Sequence, residues 1–165
     1  MISKKLYKNF LVNSIIVISI FLFDRISKIY IIYLDKKFSE PEIFSSKFLN
    51  IHLIWNEGIA FGLFSFDQKS LYNILSIIIF LVILIILIWI IRSKGLKRYS
   101  LLIIFSGAIG NFCDRIYYGA VPDFIDFHIG NFHWFIFNVS DIFITLGVIW
   151  MVIQELIDNS KSDAA

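Results

Sequence analysis

The sequence predicts an all-α membrane protein: four transmembrane helices with a small extracytoplasmic β-rich cap, forming one domain over residues 1–165. Three observations lead there. The chain is 58% hydrophobic with 18 Phe and only 17% charged residues, whereas soluble domains are roughly half apolar and about a quarter charged. Four apolar stretches each come close to the roughly 20 residues that cross a bilayer as a helix. The two longer links between them alternate apolar and polar residues instead.

The first span runs from about residue 10 to 34 and is interrupted by Asp24, Arg25 and Lys28. Lys4, Lys5 and Lys8 before an apolar run also suit a cleaved leader. The run continues past its charges to Leu34, however, and no small-x-small cleavage site follows, so the segment reads as a retained helix. The second span, about 71–91, carries no charge. The third, about 99–118, holds Asp114 and Arg115 near its end, and the fourth, about 138–157, holds Asp141 near its start. In the link at about 35–70, Leu49, Ile51, Leu53 and Trp55 share one face of a strand. In the link at about 119–137, residues 124–129 alternate, Gly130-Asn131 offers a turn, and Phe132 to Phe137 returns, which predicts a hairpin whose apolar residues rest on the membrane. The polar tail after Asp158 reads as disordered.

Basic residues orient the spans. Lys4, Lys5 and Lys8 precede the first, and Arg92, Lys94, Lys97 and Arg98 crowd the short link between the second and third. The last long link has neither Lys nor Arg. Both termini are therefore expected in the cytoplasm, and both long links outside. The net charge of +2 carries no basic stripe for nucleic acid. A single cysteine, Cys113, excludes an internal disulfide, and His52, His128 and His133 make no zinc motif.

Ionisable groups inside a span are costly and tend to mark function. Asp24, Ser27 and Lys28 share one helix face, as do Asn111, Asp114, Arg115 and Tyr118, and again Asn138, Asp141 and Thr145. All three stripes lie toward the outer ends of their helices. Asp24 with Lys28, and Asp114 with Arg115 or another cation, read as ion pairs that fix the bundle, while Arg25 lies off the Asp24 face and is expected to snorkel toward headgroups. Asp123 and Asp141 have no local partner, and the hairpin between them can bring them together, with Asp126 as the rival to Asp123. Two carboxylates in contact share a proton: one takes a proton from water, the other donates to a carbonyl oxygen. Ser106, Gly107, Ala108 and Gly110 are expected to let helices pack closely.

Several blocks, read together and in order, resemble the lipoprotein signal peptidases, or signal peptidase II. Asp24-Arg25-Ile26-Ser27-Lys28 resembles their D-x-x-[ST]-K. Residues Asn56 to Gly62 resemble N-x-G-x-A-F-[GS]. Gly107 to Arg115, then Val121-Pro122-Asp123-Phe124, resemble G-A-x-G-N-x-x-D-R and V-x-D-F, and Phe137 to Asp141 resembles F-N-x-A-D. Ile59, Ser106 and Ser140 depart from these patterns without removing a catalytic side chain.

The resemblance implies an aspartic endopeptidase of the bacterial cytoplasmic (inner) membrane that cuts diacylglyceryl-modified prolipoproteins just before the lipidated cysteine. It implies Asp123 and Asp141 as the catalytic pair; Asn56, Gly58, Asn111, Arg115 and Asn138 as substrate-binding residues; and Asp24, Lys28 and Asp114 as support. It further implies inhibition by globomycin-type peptides, no metal or organic cofactor, and a monomer in contact with membrane lipid. The alternative from the residues alone is an ion-coupled transporter with Asp24, Asp114 and Asp141 as a relay. Against it, the charges gather near one face and the second span has none.

Overall fold

The computed structural model describes residues 2–38, 42–58 and 68–163. It contains α1 (Ile2–Phe38), β1 (Phe44–Ser45), β2 (Leu49–Asn56), α2 (Gln68–Arg92), α3 (Gly95–Tyr118), β3 (Val121–Ile129), β4 (Phe132–Phe137) and α4 (Val139–Asp163). Ile59 and Gly62 of the second block lie outside the described residues.

Each expected helix is present and longer than its apolar run. In α1, α2 and α4 no Gly or Pro interrupts the residues that flank the apolar run, so the hydrogen-bond ladder continues past it. At the C-terminus this corrects the expectation of a disordered tail, because α4 carries through Asn159 and Ser160 to Asp163. The end of α3 is sharp. Gly119 adopts the left-handed conformation at φ 73°, and its N–H donates to Arg115 O at 3.2 Å.

The bundle is inverted relative to a soluble protein. Ile15, Leu22, Ile26 and Ile29 of α1, and Ile77, Leu81 and Ile85 of α2, face outward, while Asp24, Lys28, Ser106, Asn111 and Asp114 are buried. Apolar outside and paired polar inside is the arrangement that hydrocarbon solvent rewards. Among the described residues two helical segments, Tyr72–Arg92 and Val139–Ser160, are long and apolar enough to cross a membrane by length and composition.

Helix α3 is the hub: it packs on α4, α1 and α2. Its approach to α4 depends on missing side chains. A Cβ at Gly107 would lie 2.5 Å from Ser140 O and 2.8 Å from Ile144 Cγ1, and one at Gly110 would meet Ser140 and Asp24. Small residues at this crossing were expected, and they lie in it.

The strands form one antiparallel sheet in the order β1-β2-β3-β4. The predicted hairpin is present as β3 and β4, with Ile129 opposite Phe132 across Gly130-Asn131. Two features go beyond the sequence reading: the short strand β1, and the pairing of β2 with β3. In that pairing Asn56 faces Val121 and Ile54 faces Asp123, so the second long link is laid against the first. Ile31 of α1, Phe124 of β3 and Val139 of α4 pack with Ile51 and Leu53 of β2, docking the sheet on the bundle end. Ile90, Leu101 and Leu102 form a second apolar cluster with Ile16 and Val17. Along α1, the charged residues 24–28 therefore lie between two apolar layers.

Because backbone oxygen cannot yield as a side-chain tip can, Gly107→Ala is expected to wedge α3 from α4 at a cost of about 1–3 kcal/mol. Thermal unfolding of the purified protein in detergent should show a clear fall in Tm, and an unchanged Tm would mean the crossing is looser than described.

Candidate active site

Asp123 and Asp141 are brought together by Asn138. This residue caps α4 in a reciprocal box. Asn138 Oδ1 accepts from Asp141 N–H at 3.2 Å, and Asp141 Oδ2 accepts from Asn138 N–H at 3.1 Å. The remaining end of the amide, Nδ2, donates to Asp123 Oδ1 at 2.6 Å. The two carboxylates thus flank one asparagine, and the N–H groups of the first helical turn add positive potential at Asp141.

Each carboxylate receives one further amide. Asn56 Nδ2 donates to Asp123 Oδ2 at 2.8 Å, and Asn111 Nδ2 donates to Asp141 Oδ1 at 2.7 Å. Gly58 does not reach a carboxylate. Its N–H donates to Asn56 Oδ1 at 2.7 Å and so turns that amide toward Asp123. Gly58 adopts φ 75°, and a Cβ there would fall 2.6 Å from Leu75 Cδ2, so a side chain is doubly disfavoured.

Below the pair lies a charged cluster. Lys28 Nζ contacts Asp24 Oδ1 at 2.9 Å, Asp114 Oδ2 at 2.7 Å and Asn111 Oδ1 at 2.8 Å. Arg25 Nη2 reaches Asp114 Oδ2 at 2.6 Å, Asp24 Oδ2 at 2.8 Å and Gly110 O at 3.1 Å. Two cations and two carboxylates leave the cluster neutral. Asp24 Oδ1 also accepts from Ser140 N–H at 3.0 Å, which ties the start of α4 to α1.

One expectation is corrected here. Arg25 does not snorkel to headgroups but turns inward. Its neighbour α3 offers Asp114, and a bidentate ion pair replaces the water that hydrocarbon denies. The signal in the sequence is Arg25 itself: a charged residue inside an apolar run tends to face the bundle interior and pair there. Asp114 has the cation partner expected for it: of the two alternatives, Arg115 or another cation, the structure gives Arg25 and Lys28.

Arg115 Nη1 donates only to Asn111 O, at 3.2 Å, among the described residues, and its Nε has no partner. It lies next to Gly58, at the mouth of the site. Asp126 stays apart from the pair. It is buried and accepts from His133 Nδ1 at 2.8 Å. Three residues from Asp123 along a strand, it belongs to the opposite face.

Asp123 has 3% of its surface exposed, and burial pushes its carboxyl above the ordinary value. The amides of Asn56 and Asn138 oppose that rise, and the charge of Asp141 adds to it. Asp141 is half-buried and lines a cavity of about 680 Å³ whose other walls include Phe48, Phe127, Trp134, Phe135 and Leu146. The site can therefore offer a carboxylate pair, several amide donors and an apolar surface side by side.

An inverted bundle with a polar site under a small sheet defines an integral membrane protein. The family profile described as signal peptidase (SPase) II matches residues 16–157. A lipoprotein signal peptidase of Pelagibacter ubique is 49% identical over 154 residues, covering 93% of each chain. One from Anaplasma phagocytophilum is 40% identical over 143 residues, covering 86% of this chain and 89% of its own. A solved bacterial membrane enzyme structure, obtained in meso at 2.3 Å resolution, is similar at TM-score 0.70 and 31% identity, covering 91% of this chain and 90% of that one. This chain belongs to the signal peptidase II family.

Gly58→Ala is expected to release the Asn56 amide. In isotope-labelled protein the Asn56 side-chain NH2 signal should broaden and move toward the free-amide position, because its oxygen loses the N–H that orients it. A signal unchanged from the parent would show that the turn does not hold the amide.

Proposed function

We propose that this chain is an aspartic endopeptidase that removes the signal peptide from diacylglyceryl-modified prolipoproteins, cutting just before the lipidated cysteine. The observation that carries this reading is Asn138 set between Asp123 and Asp141, with every carboxylate oxygen accepting a hydrogen bond. Membership of the signal peptidase II family supplies the reaction class.

Asp141, holding the negative charge against Asn111 Nδ2 and the Asn138 N–H, takes a proton from water as the water oxygen bonds to the carbonyl carbon. Asp123, the protonated partner of the pair, gives its proton to the carbonyl oxygen. The tetrahedral intermediate then collapses. The C–N bond breaks, the cysteine nitrogen receives the proton held by Asp141, and a hydroxyl proton of the intermediate returns to Asp123. The pair ends as it began. Arg115 and Asn56, at the mouth, would hold peptide carbonyls that have no water to bond, with Gly58 positioning Asn56. The aromatic cavity beside Asp141 would receive apolar parts of the substrate.

We place all four long helices across the bacterial cytoplasmic membrane, with both termini inside and the sheet at the outer face. The charges of α1 and α3 fit this because they neutralise one another. The same pairing removes the support for a transporter: Asp24 and Asp114 are committed to fixed cations and form no relay with Asp141. Globomycin-type peptides would compete for the Asn56 and Arg115 contacts, and the working unit is the monomer.

Asp123→Asn and Asp141→Asn should each abolish cleavage of a lipidated prolipoprotein by purified, folded enzyme, since an amide cannot relay the proton. Asp126→Asn should retain it, because the amide oxygen can still accept from His133. Near-parental turnover by either dyad variant would sink the assignment.

The pH dependence follows from Asp123. A carboxyl whose folded value is raised adds stability below its unfolded value, and that contribution fades as pH rises through the folded one. Turnover needs the same proton. Its alkaline limb should therefore lie above the ordinary carboxylate range. Asn56→Ala, by removing a bond that favours the ionised form, should move the limb further up while lowering efficiency about ten- to a hundredfold. A limb moving down in a pH profile of kcat would contradict this.

A further inference from the structure

Arg25 occupies a position that the D-x-x-[ST]-K pattern leaves open, and it touches neither carboxylate of the proposed dyad. Its contacts nevertheless lead there in two steps. Both guanidinium nitrogens Nη1 and Nη2 hold Asp114, through Oδ1 and Oδ2 respectively. Asp114 is fully buried and, among the described residues, has a single other cationic partner, Lys28 Nζ. That ammonium also donates to Asn111 Oδ1. An ammonium has no acceptor, so the oxygen of Asn111 must face it and the NH2 must face Asp141, where it donates at 2.7 Å.

Resting on the proposed function, we propose that Arg25 is a positioning residue for the reaction: its two-pronged hold on Asp114 keeps the Asn111 amide turned so that it donates to Asp141. Asp114 Oδ2 and Asn111 Oδ1 both lie within 2.8 Å of the same ammonium. Remove the guanidinium, and Asp114 keeps one charged donor where it had three such contacts. A buried carboxylate left short of donors draws its remaining ammonium toward itself. Lys28 Nζ then leaves Asn111 Oδ1, and the amide, nearly one helical turn back along α3, loses the contact that fixes its orientation. Once flipped, Asn111 sets its oxygen against Asp141 Oδ1, and the general base loses a donor and faces an acceptor. The cluster also changes from neutral to net negative, with Asp24, Asp114 and a lone Lys28 on the buried side of the dyad. A purely scaffolding Arg25 would act differently, lowering the folded fraction and leaving each folded molecule as fast as the parent.

The test uses the full chain purified in detergent and a lipidated prolipoprotein, with the folded fraction counted by globomycin titration. Arg25→Gln should lower kcat per folded molecule about ten- to a hundredfold, with KM within about twofold of the parent by the same argument. Arg25→Lys, which keeps charge but lacks the fork, should recover only part of it. Arg25→Gln combined with Asp114→Asn restores neutrality and removes the demand on Lys28, so it should be faster than Arg25→Gln alone. Parental kcat in Arg25→Gln, a loss confined to KM, or a double variant no better than the single would each overturn the role. Should Arg25→Gln fail to accumulate, Arg25→Lys decides: reduced kcat supports the role and parental kcat overturns it. The parent and Asp141→Asn run alongside. A parent that leaves the prolipoprotein uncut sinks the proposed function itself, whereas a working parent with indifferent Arg25 variants sinks only this inference.

Discussion

A side-chain amide whose oxygen is committed to a donor has one orientation left for its NH2, and this constraint organises the site. Three asparagines converge on Asp123 and Asp141, and in each the oxygen faces a group that can only donate. For Asn56 it is the N–H of Gly58, for Asn138 the N–H of Asp141, and for Asn111 the ammonium of Lys28. With the oxygen committed, the NH2 of each amide turns to a carboxylate. None of the three orientations is a free choice, because reversing any amide would set two donors, or two acceptors, against each other; at buried Asn111 and Asn138 the mismatch costs about 1–3 kcal/mol, and at exposed Asn56 it costs less.

The rest of the fold serves those three pins. The Asn138 pin requires a helix to start there, which places Asp141 at the third position of α4. The Asn56 pin requires β2 to lie along β3 and the left-handed Gly58 to follow two residues beyond it. The Asn111 pin requires a cation deep between α1 and α3, and such a cation is tolerable only inside a neutral cluster. Asp24, Arg25 and Asp114 complete that cluster around Lys28. Close contact of α3 with α4 at Gly107 and Gly110 leaves no room for side chains to intervene.

Much of this was legible in the residues. Long apolar runs located the four helices, since helix formation is governed by local sequence and by a solvent that punishes open backbone. Gly130-Asn131 between alternating strands located the hairpin. The ordered blocks pointed to the family and to every asparagine of the site. What stayed hidden was non-local. The pairing of β2 with β3 joins residues more than sixty positions apart, and no local pattern encodes such a register. Arg25 was misread because its neighbour on the chain, Asp24, set the face by which it was judged, whereas its main partner lies on another helix. The role of Gly58 was read as substrate contact, but its N–H acts first on Asn56. The end of α4 was misjudged because polar composition was taken for disorder where no helix-breaking residue stood.

The central claim is that Asp123 and Asp141 hold one proton between them while the flanking amides favour the remaining charge. Infrared difference spectroscopy of the purified protein, stepped through pH in H2O and D2O, counts protonated carboxyls directly by their C=O stretch. The account predicts one protonated carboxyl persisting above the ordinary carboxylate range, shifted in D2O, absent from Asp123→Asn, and titrating at lower pH in Asp141→Asn, where burial still raises Asp123 but the neighbouring charge is gone. A pair fully ionised throughout that range, or a band that survives Asp123→Asn, would contradict it.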